Sequence, residues 1–403
     1  MADAASPTSY AAGRPPLPLL TFVILPDVVL ACLMALRRPS GIKIGVSLLL
    51  LSASAYACIA YTMGNPTDDY TMGSTVFGNM VLNITLFIWL TDPVKDYRYL
   101  RDPTPLTEKP LLSRIWYSLC IIHNQRLIGT NAQVANVPPP FRGTRSQFLW
   151  KRLQQLLISL AIVDVVCSFV HTHHHLYQPE IAPLYFPSGA FGYLMRTGCT
   201  AIWLVMSYLM LKLSYIVLSM SAVATHLGNG NPEDWPDLFG PWSEAYTIRH
   251  LWGRAWHQGL RRHFSRWGKL AVEALGIPRG TWLSSQVQVH TAFALSALLH
   301  CMGDLMLGKE HFGRSWVFFA ANGLVITVED TVIALANRVG LGSEGKGRPG
   351  RGMRILGYIW VYIWFTYSGP LYYSWLFESG VGLTDPLPYS PTRSLIPVLC
   401  RST

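Results

Sequence analysis

Two histidines of this chain have surroundings in which an imidazole could handle a proton beside a membrane. His257 lies in the run Trp252-Gly253-Arg254-Ala255-Trp256-His257-Gln258, which mixes cationic, aromatic and amide groups. His300 lies within an apolar stretch, Phe293 to Leu307. An ionisable side chain inside a span is costly, so it marks a functional site by default. Near neutral pH, imidazole can take a proton from a hydroxyl as that oxygen attacks an acyl carbon, help worth about 10²–10⁴-fold. A partner donor such as His257 or Gln258 could stabilise the developing oxyanion or hold the acyl carrier. The chain has no G-x-S-x-G elbow and no serine or cysteine that is obviously activated. Direct transfer, without a covalent enzyme intermediate, is therefore expected.

The elements that must position these groups can be read from spacing. Gly240-Pro241 puts a proline where a first helical turn tolerates it, so a helix is expected from Trp242 to Lys269. Along it, Trp252, Trp256, Leu260, Phe264 and Trp267 form one stripe, and His250, Arg254, His257 and Arg261 a second, about 200° away at 100° per residue. An interfacial amphipathic helix has this pattern. The bland reading is that its arginines hold lipid phosphate and its tryptophans mark the headgroup belt. The functional reading gives Arg254 and Arg261 to the phosphates of an anionic cofactor, since arginine forks suit phosphate, with Trp252 and Trp256 shaping the site. Around His300, the residues Phe293, Ser296, Ala297, Gly303 and Asp304 share its face. A lone histidine there is ordinarily one that bonds a neighbouring helix. The small, polar face shifts the balance to catalysis, with Asp304, one turn on, able to orient or charge-balance the imidazole.

Composition sets the larger frame. Of the 403 residues, 50% are hydrophobic and 13% charged, against about 25% charged in soluble proteins. Eight stretches are long and apolar enough to span a bilayer as helix, near 17–36, 43–62, 73–90, 153–170, 198–222, 287–307, 316–337 and 354–377. The fold class is thus an all-α integral membrane protein of about eight transmembrane helices with interfacial amphipathic helices. Asp164, Lys212, Glu329 and Asp330 fall within spans, which should then face other helices rather than lipid. The net charge of +10 does not imply a nucleic-acid partner, because 25 of the 32 lysines and arginines fall in alternate connections. That positive-inside pattern puts those connections in the cytosol and both termini in the lumen. The expected organisation is a disordered lumenal tail (1–16), one multi-span domain (17–377) whose first span is a retained signal anchor, and a C-terminal tail (378–403). The connection 91–152 carries its own apolar piece, Ile115 to Ile128, expected on the membrane surface, and the glycine-rich, basic stretch Gly340 to Gly352 reads as a flexible loop. The seven cysteines have no paired spacing and read as small buried hydrophobes.

The run His171-Thr172-His173-His174-His175 is a single cluster. Membrane oxidases with two irons need several, so no metal is expected. A multi-span transporter using His300, Asp304, Lys212, Glu329 and Asp330 as a relay is the other class of function; it has no need of the W-G-R-A-W-H-Q segment.

Three stretches resemble the wax-synthase branch of the membrane-bound O-acyltransferase superfamily, above all its fungal members that acetylate terpenoid and meroterpenoid hydroxyls. They are Asn124-Gln125-Arg126-Leu127-Ile128-Gly129-Thr130 with Asn136-Val137-Pro138-Pro139; Trp235-Pro236 and Phe239-Gly240 leading into Leu251 to Gln258; and Phe293 to His300. Order and spacing fit from about residue 90 to 310. The resemblance implies acetyl-CoA as co-substrate, a hydrophobic alcohol taken from the lipid bilayer, and an endoplasmic-reticulum membrane protein; a wax-ester-type enzyme using long-chain acyl groups is the nearer alternative. The family's catalytic histidine falls on His300, and its second polar position on His257 or its neighbour. The chain departs from the pattern at Leu127, where glycine is common, and at Cys301, where plant enzymes tend to have an acidic residue.

Overall fold

The computed structural model describes residues 10, 13–36, 39–102, 104–173, 189–339, 349–382 and 386–399. Most of the expected N-terminal tail, Arg37-Arg38, His174 and His175, most of the Gly340–Gly352 stretch and the last residues with Cys400 lie outside the described residues. The described structure is helical, with isolated bridges at Pro16–Thr62 and Tyr99–Thr130 and no strand among the described residues. In chain order the main helices are α1 (Leu20–Ala35), α2 (Ser40–Ala60), α3 (Pro66–Leu90), α4 (Leu111–His123), α5 (Arg145–Thr172) and α6 (Ala190–Thr225). They continue with α7 (Arg261–Ala274), α8 (Trp282–Leu307), α9 (Ser315–Arg338), α10 (Arg351–Ser368), α11 (Pro370–Glu378) and α12 (Pro391–Leu399).

Helices α2, α3, α5, α6, α8 and α9 are long and apolar enough to cross a membrane. The expected first span is the shorter helix α1. The expected eighth is divided into α10 and α11 at Gly369-Pro370, where proline brings no N–H to continue the ladder. The apolar piece of the 91–152 connection is α4. Helix α3 starts well before the expected residue 73. Asn65 caps it, its side chain accepting the Asp68 N–H at 2.9 Å, and Pro66 takes the first turn. Two further starts follow the same logic: Thr144 and Gln147 form a capping box on α5, and Thr281 caps α8.

The chain divides into two compact units, residues 1–138 with 239–362 and residues 139–238 with 363–403. In the first unit, glycines bring α3 and α8 into backbone contact. A Cβ on Gly73 would stand 2.4 Å from the Met302 carbonyl, and one on Gly78 2.5 Å from the Leu299 carbonyl. From α8, a Cβ on Gly303 would meet the Tyr70 carbonyl at 2.8 Å and its ring at 2.9 Å. Small residues permit such approach between membrane helices. Also in this unit, Asp69, fully buried, accepts bonds from Tyr10, Arg14 and Thr62.

In the second unit α5 packs on α6. One carboxylate oxygen of the intramembrane Asp164, Oδ2, accepts from Thr392 of α12, whose N–H and hydroxyl donate at 2.9 and 2.6 Å. Lys212 lies over the Tyr208 ring. Arg152 donates to the Trp235 carbonyl and to Asp237, and Tyr215 donates to the Pro236 carbonyl.

The structure corrects the helix expected over 242–269. The segment is a 3-10 turn at Trp242–Glu244, a short helix at Ile248–His250, a wide π-type turn at Leu251–Ala255 and extended backbone at Trp256, with regular helix resuming only at Arg261. Tertiary contacts override the periodicity. The Gly240 N–H donates to the Ala255 carbonyl at 2.9 Å, and a Cβ there would lie 2.0 Å from the Arg254 carbonyl. The Trp256 N–H turns back to Leu251, five residues earlier. The two stripes therefore do not lie on opposite faces of one helix.

Candidate active site

The irregular segment 251–260 is held by its own side chains. The Gln258 amide, buried, donates to the Trp252 and Trp256 carbonyls at 3.1 and 2.6 Å, and Arg261 donates to the Gly253 carbonyl at 2.7 Å and to Gln258 Oε1 at 2.6 Å. These bonds replace those a continuous helix would have made, as buried backbone groups require. Asn136, in left-handed backbone, adds a bond from its amide to the Gly253 carbonyl at 2.8 Å.

Carboxylates of α9 anchor the stretch that leads in. Glu329 accepts the Ile248 and Arg249 N–H groups at 2.8 and 3.0 Å and the Trp360 indole at 2.9 Å. Asp330 pairs with Arg249 and accepts from Gln286. These intramembrane charges thus position the segment 248–258.

From there aromatic contacts run without a gap from one histidine to the other. His257 lies beside Trp256 and Phe239, with ring centroids 5.8 and 6.2 Å away. Trp256 meets Trp252 edge-on at 5.9 Å; Trp252 meets Phe293 at 5.8 Å and Phe318 at 6.5 Å, and its indole donates to the fully buried Asn322 at 3.1 Å. Phe318 packs on Phe319, and Phe319 stacks on His300 at 4.7 Å with planes 18° apart. On its other side, His300 Nδ1 lies 3.0 Å from the Tyr70 hydroxyl.

The Asn124–Thr130 stretch reaches the same place. Asn124 closes the turn by bonding both the N–H and the carbonyl of Ile128. A Cβ on Gly259 would meet Gln125 Oε1 at 2.7 Å and His257 Nδ1 at 3.4 Å. Arg126 is buried close to His257. Burial, then the Arg126 charge, push the His257 imidazole down to about 4. His257 is therefore neutral near pH 7, able to offer one N–H and one lone pair.

The structure thus brings together four of the residues singled out in sequence, His300, His257, Trp252 and Trp256. Gln258 and Arg261 are tied to the backbone of the same segment. Arg254 points to Glu244, 3.0 Å away, and is half exposed. Asp304 reaches His300 through side chains that sequence reasoning missed: Ser315 donates to Asp304 Oδ1 at 2.6 Å, and its oxygen lies 3.4 Å from the Tyr70 hydroxyl. The signal for Tyr70 was the capping pattern Asn65-Pro66-Thr67-Asp68, which starts α3 early enough to include it. Of the histidine cluster, His173 stacks on Phe169 at 4.4 Å. Among the described residues no group of three or more His, Cys, Asp or Glu is placed to hold a metal ion.

Residues 235–321, which include both histidines, match the membrane bound O-acyl transferase family. The acetyltransferase ple2 of Rhodocybe pseudopiperita is 29% identical over 364 residues, 90% of each chain. The acetyltransferase eriL of Hericium erinaceus is 27% identical over 86% of this chain and 88% of its own. The O-Mevalon transferase macI of Penicillium terrestre is 26% identical over 86% and 83%. No solved structure matches. With a family profile that spans the paired histidines and relatives that run nearly the whole length, the chain is similar to the membrane bound O-acyl transferase family and is a multi-pass membrane acyltransferase.

Proposed function

We propose that this enzyme moves an acetyl group from acetyl-CoA to a hydroxyl of a hydrophobic terpenoid or meroterpenoid in the endoplasmic reticulum membrane. The observation that carries the reading is the pair His300 and His257 at the two ends of one aromatic wall. His300 takes the acceptor's proton as the oxygen attacks the thioester carbonyl. The tetrahedral intermediate collapses, the C–S bond breaks, and the imidazolium returns the proton to the CoA sulfur. His257, neutral, donates to the carbonyl oxygen, whose charge grows in the transition state. Trp252 and Trp256 form the apolar wall against the acceptor. Arg254, half exposed, meets CoA phosphate. Arg261 contributes positive charge beside it, while Gln258 acts through the turn it holds. The chain's similarity to the acetyltransferases ple2 and eriL supports acetyl as the group transferred.

A second reading, transfer of a larger acyl group, is favoured by the name of macI. The two separate in one experiment: membranes containing the enzyme, a panel of terpenoid and polyketide alcohols, and labelled acetyl-, medium- and long-chain acyl-CoA. The proposal expects ester from acetyl-CoA in preference to the others. Preference for a longer donor would replace it with the second reading.

A further inference from the structure

We infer that His290 of α8 is a binding residue for the carrier arm of acyl-CoA, its Nδ1 accepting a hydrogen bond from an amide N–H or the hydroxyl of the pantetheine chain. The inference rests on the functional reading above, in which CoA brings the acyl group to His300.

His290 is the other histidine of α8. An ionisable side chain in a membrane-length helix is costly unless its polar atoms find partners, and one of its two ring nitrogens has one. Asp330, paired with Arg249, takes the Gln286 amide N–H at 2.7 Å. A carboxylate only accepts, so this bond fixes which end of the amide faces it. Gln286 Oε1 then faces Thr327 and accepts its hydroxyl proton at 3.0 Å. With that proton given away, the Thr327 oxygen accepts from His290 Nε2–H at 3.0 Å. The reverse, Thr327 donating to Nε2, would deprive the buried Gln286 of its donor among the described residues, a costly loss. The ring proton therefore sits on Nε2 and the lone pair on Nδ1.

Nδ1 has no hydrogen-bond partner among the described residues, and it is not sealed off: His290 is half-buried and this nitrogen reaches open space. It adjoins the aromatic wall between His300 and His257. A Cβ on Gly323 of α9 would meet Nδ1 at 3.1 Å and the Phe293 ring at 3.6 Å, and Phe293 meets Trp252 at 5.8 Å. His290, Phe293, Ala297 and His300 fall within a sector of about 80° at 100° per residue, and about 15 Å of helix rise separates the two histidines. A lone pair at that remove suits a ligand with donors spaced along a chain. The pantetheine arm carries amide N–H groups and a hydroxyl, all distant from the thioester, whereas the reacting hydroxyl of the alcohol lies at His300. The distribution of lysine and arginine expects the connection before α8 in the cytosol, which puts His290 on the side from which CoA enters. Gly323, with no side chain, leaves room for the arm beside Nδ1.

The test is calorimetric titration of the full chain in lipid nanodiscs with CoA and with adenosine 3′,5′-bisphosphate, which carries phosphates but no arm. His290→Asn places its Oδ1 where Nδ1 stood. His290→Gln places its amide where Nε2 stood, keeping the link to Thr327 without the open acceptor. The Asn variant should bind CoA within a few-fold of wild type. The Gln variant should bind it about tenfold more weakly, as loss of one hydrogen bond to the ligand implies, with the bisphosphate bound alike by both. Gly323→Ala, which crowds Nδ1 with the histidine in place, should also weaken CoA. Wild-type CoA affinity in the Gln variant would overturn the proposal, and so would equal weakening of CoA and bisphosphate. An Asn variant that loses CoA while Gln keeps it would make His290 a structural link to Thr327 and overturn it too. A Gln variant with intact CoA affinity and a raised KM for the alcohol would move His290 to the acceptor's site. These results leave the functional reading standing; that reading fails separately, if the wild type binds no CoA or if His300→Ala still makes ester.

Discussion

At the scale of single residues, two imidazoles outside the spans are kept neutral by burial and a neighbouring arginine. His257 is kept neutral by burial and by Arg126, and His263 of α7, bonded to Asn83 at 3.0 Å, is pushed well below its ordinary range by burial and by Arg262. Both values lie below that of the unfolded chain. Above about pH 6.5 neither state binds these protons and stability is unaffected. As pH falls from there to about 4, the unfolded chain takes up protons that folded His257 refuses, so stability declines through that window. Thermal unfolding in detergent should show a falling midpoint between pH 6.5 and 4, and His257→Asn should flatten part of the slope. Leu127 makes a second residue-scale case. It has φ of 50°, a left-handed conformation. That conformation costs a non-glycine residue about 1–2 kcal/mol. The side chain is fully buried among Ile121, Ile122 and Phe87, and truncating such a side chain costs about 2–5 kcal/mol. Burial wins: Leu127→Gly should destabilise by about 1–3 kcal/mol in denaturant titration, and a more stable variant would contradict the ranking.

At the scale of elements, close approach and anchoring matter more than periodicity. Gly240→Ala would drive a methyl into the Arg254 carbonyl, so it should cut ester formation at least tenfold, and wild-type ester formation would contradict this. Glu329→Gln keeps the shape but loses the charge that accepts two backbone N–H groups. Loss of charge-assisted bonds to buried donors should cost about 1–3 kcal/mol, visible as a lower unfolding temperature. The same elements explain what could be read in advance. Hydrophobic length located the bilayer-crossing helices because burial in lipid demands it. The 242–269 stretch misled because aromatic spacings of three and four suit a helix, while Gly240, Gln258 and Asn136 build a different path with contacts distant in sequence. Tyr70 was missed because Asp68 and Asp69 made its surroundings look like a loop. Asp69 is in fact paired with Arg14 at 3.0 Å, which sequence spacing alone does not reveal. His300 and His257 stand out in the sequence because each breaks its local pattern: an ionisable ring inside an apolar helix, and a histidine among tryptophans and arginines.

At the scale of the whole molecule, the paired histidines and the groups that hold them belong to the first unit, built from two separate stretches of chain. The resemblance spread over residues 90–310 because its motifs are far apart in sequence. Asn136 on Gly253, and Gln125 against Gly259, bring two of them into contact. The distribution of lysine and arginine expects both termini in the lumen. A C-terminal tag should then resist protease in sealed microsomes and be cut after detergent; cleavage before detergent would reverse the orientation. The central claim is that His300 is the base of acyl transfer, and one measurement reaches it most directly. Ester formation from labelled acetyl-CoA and the accepted alcohol is compared between wild type and His300→Ala at matched expression. The account predicts at least a hundredfold loss of turnover, the low end of what a general base contributes. Turnover within a few-fold of wild type would contradict it.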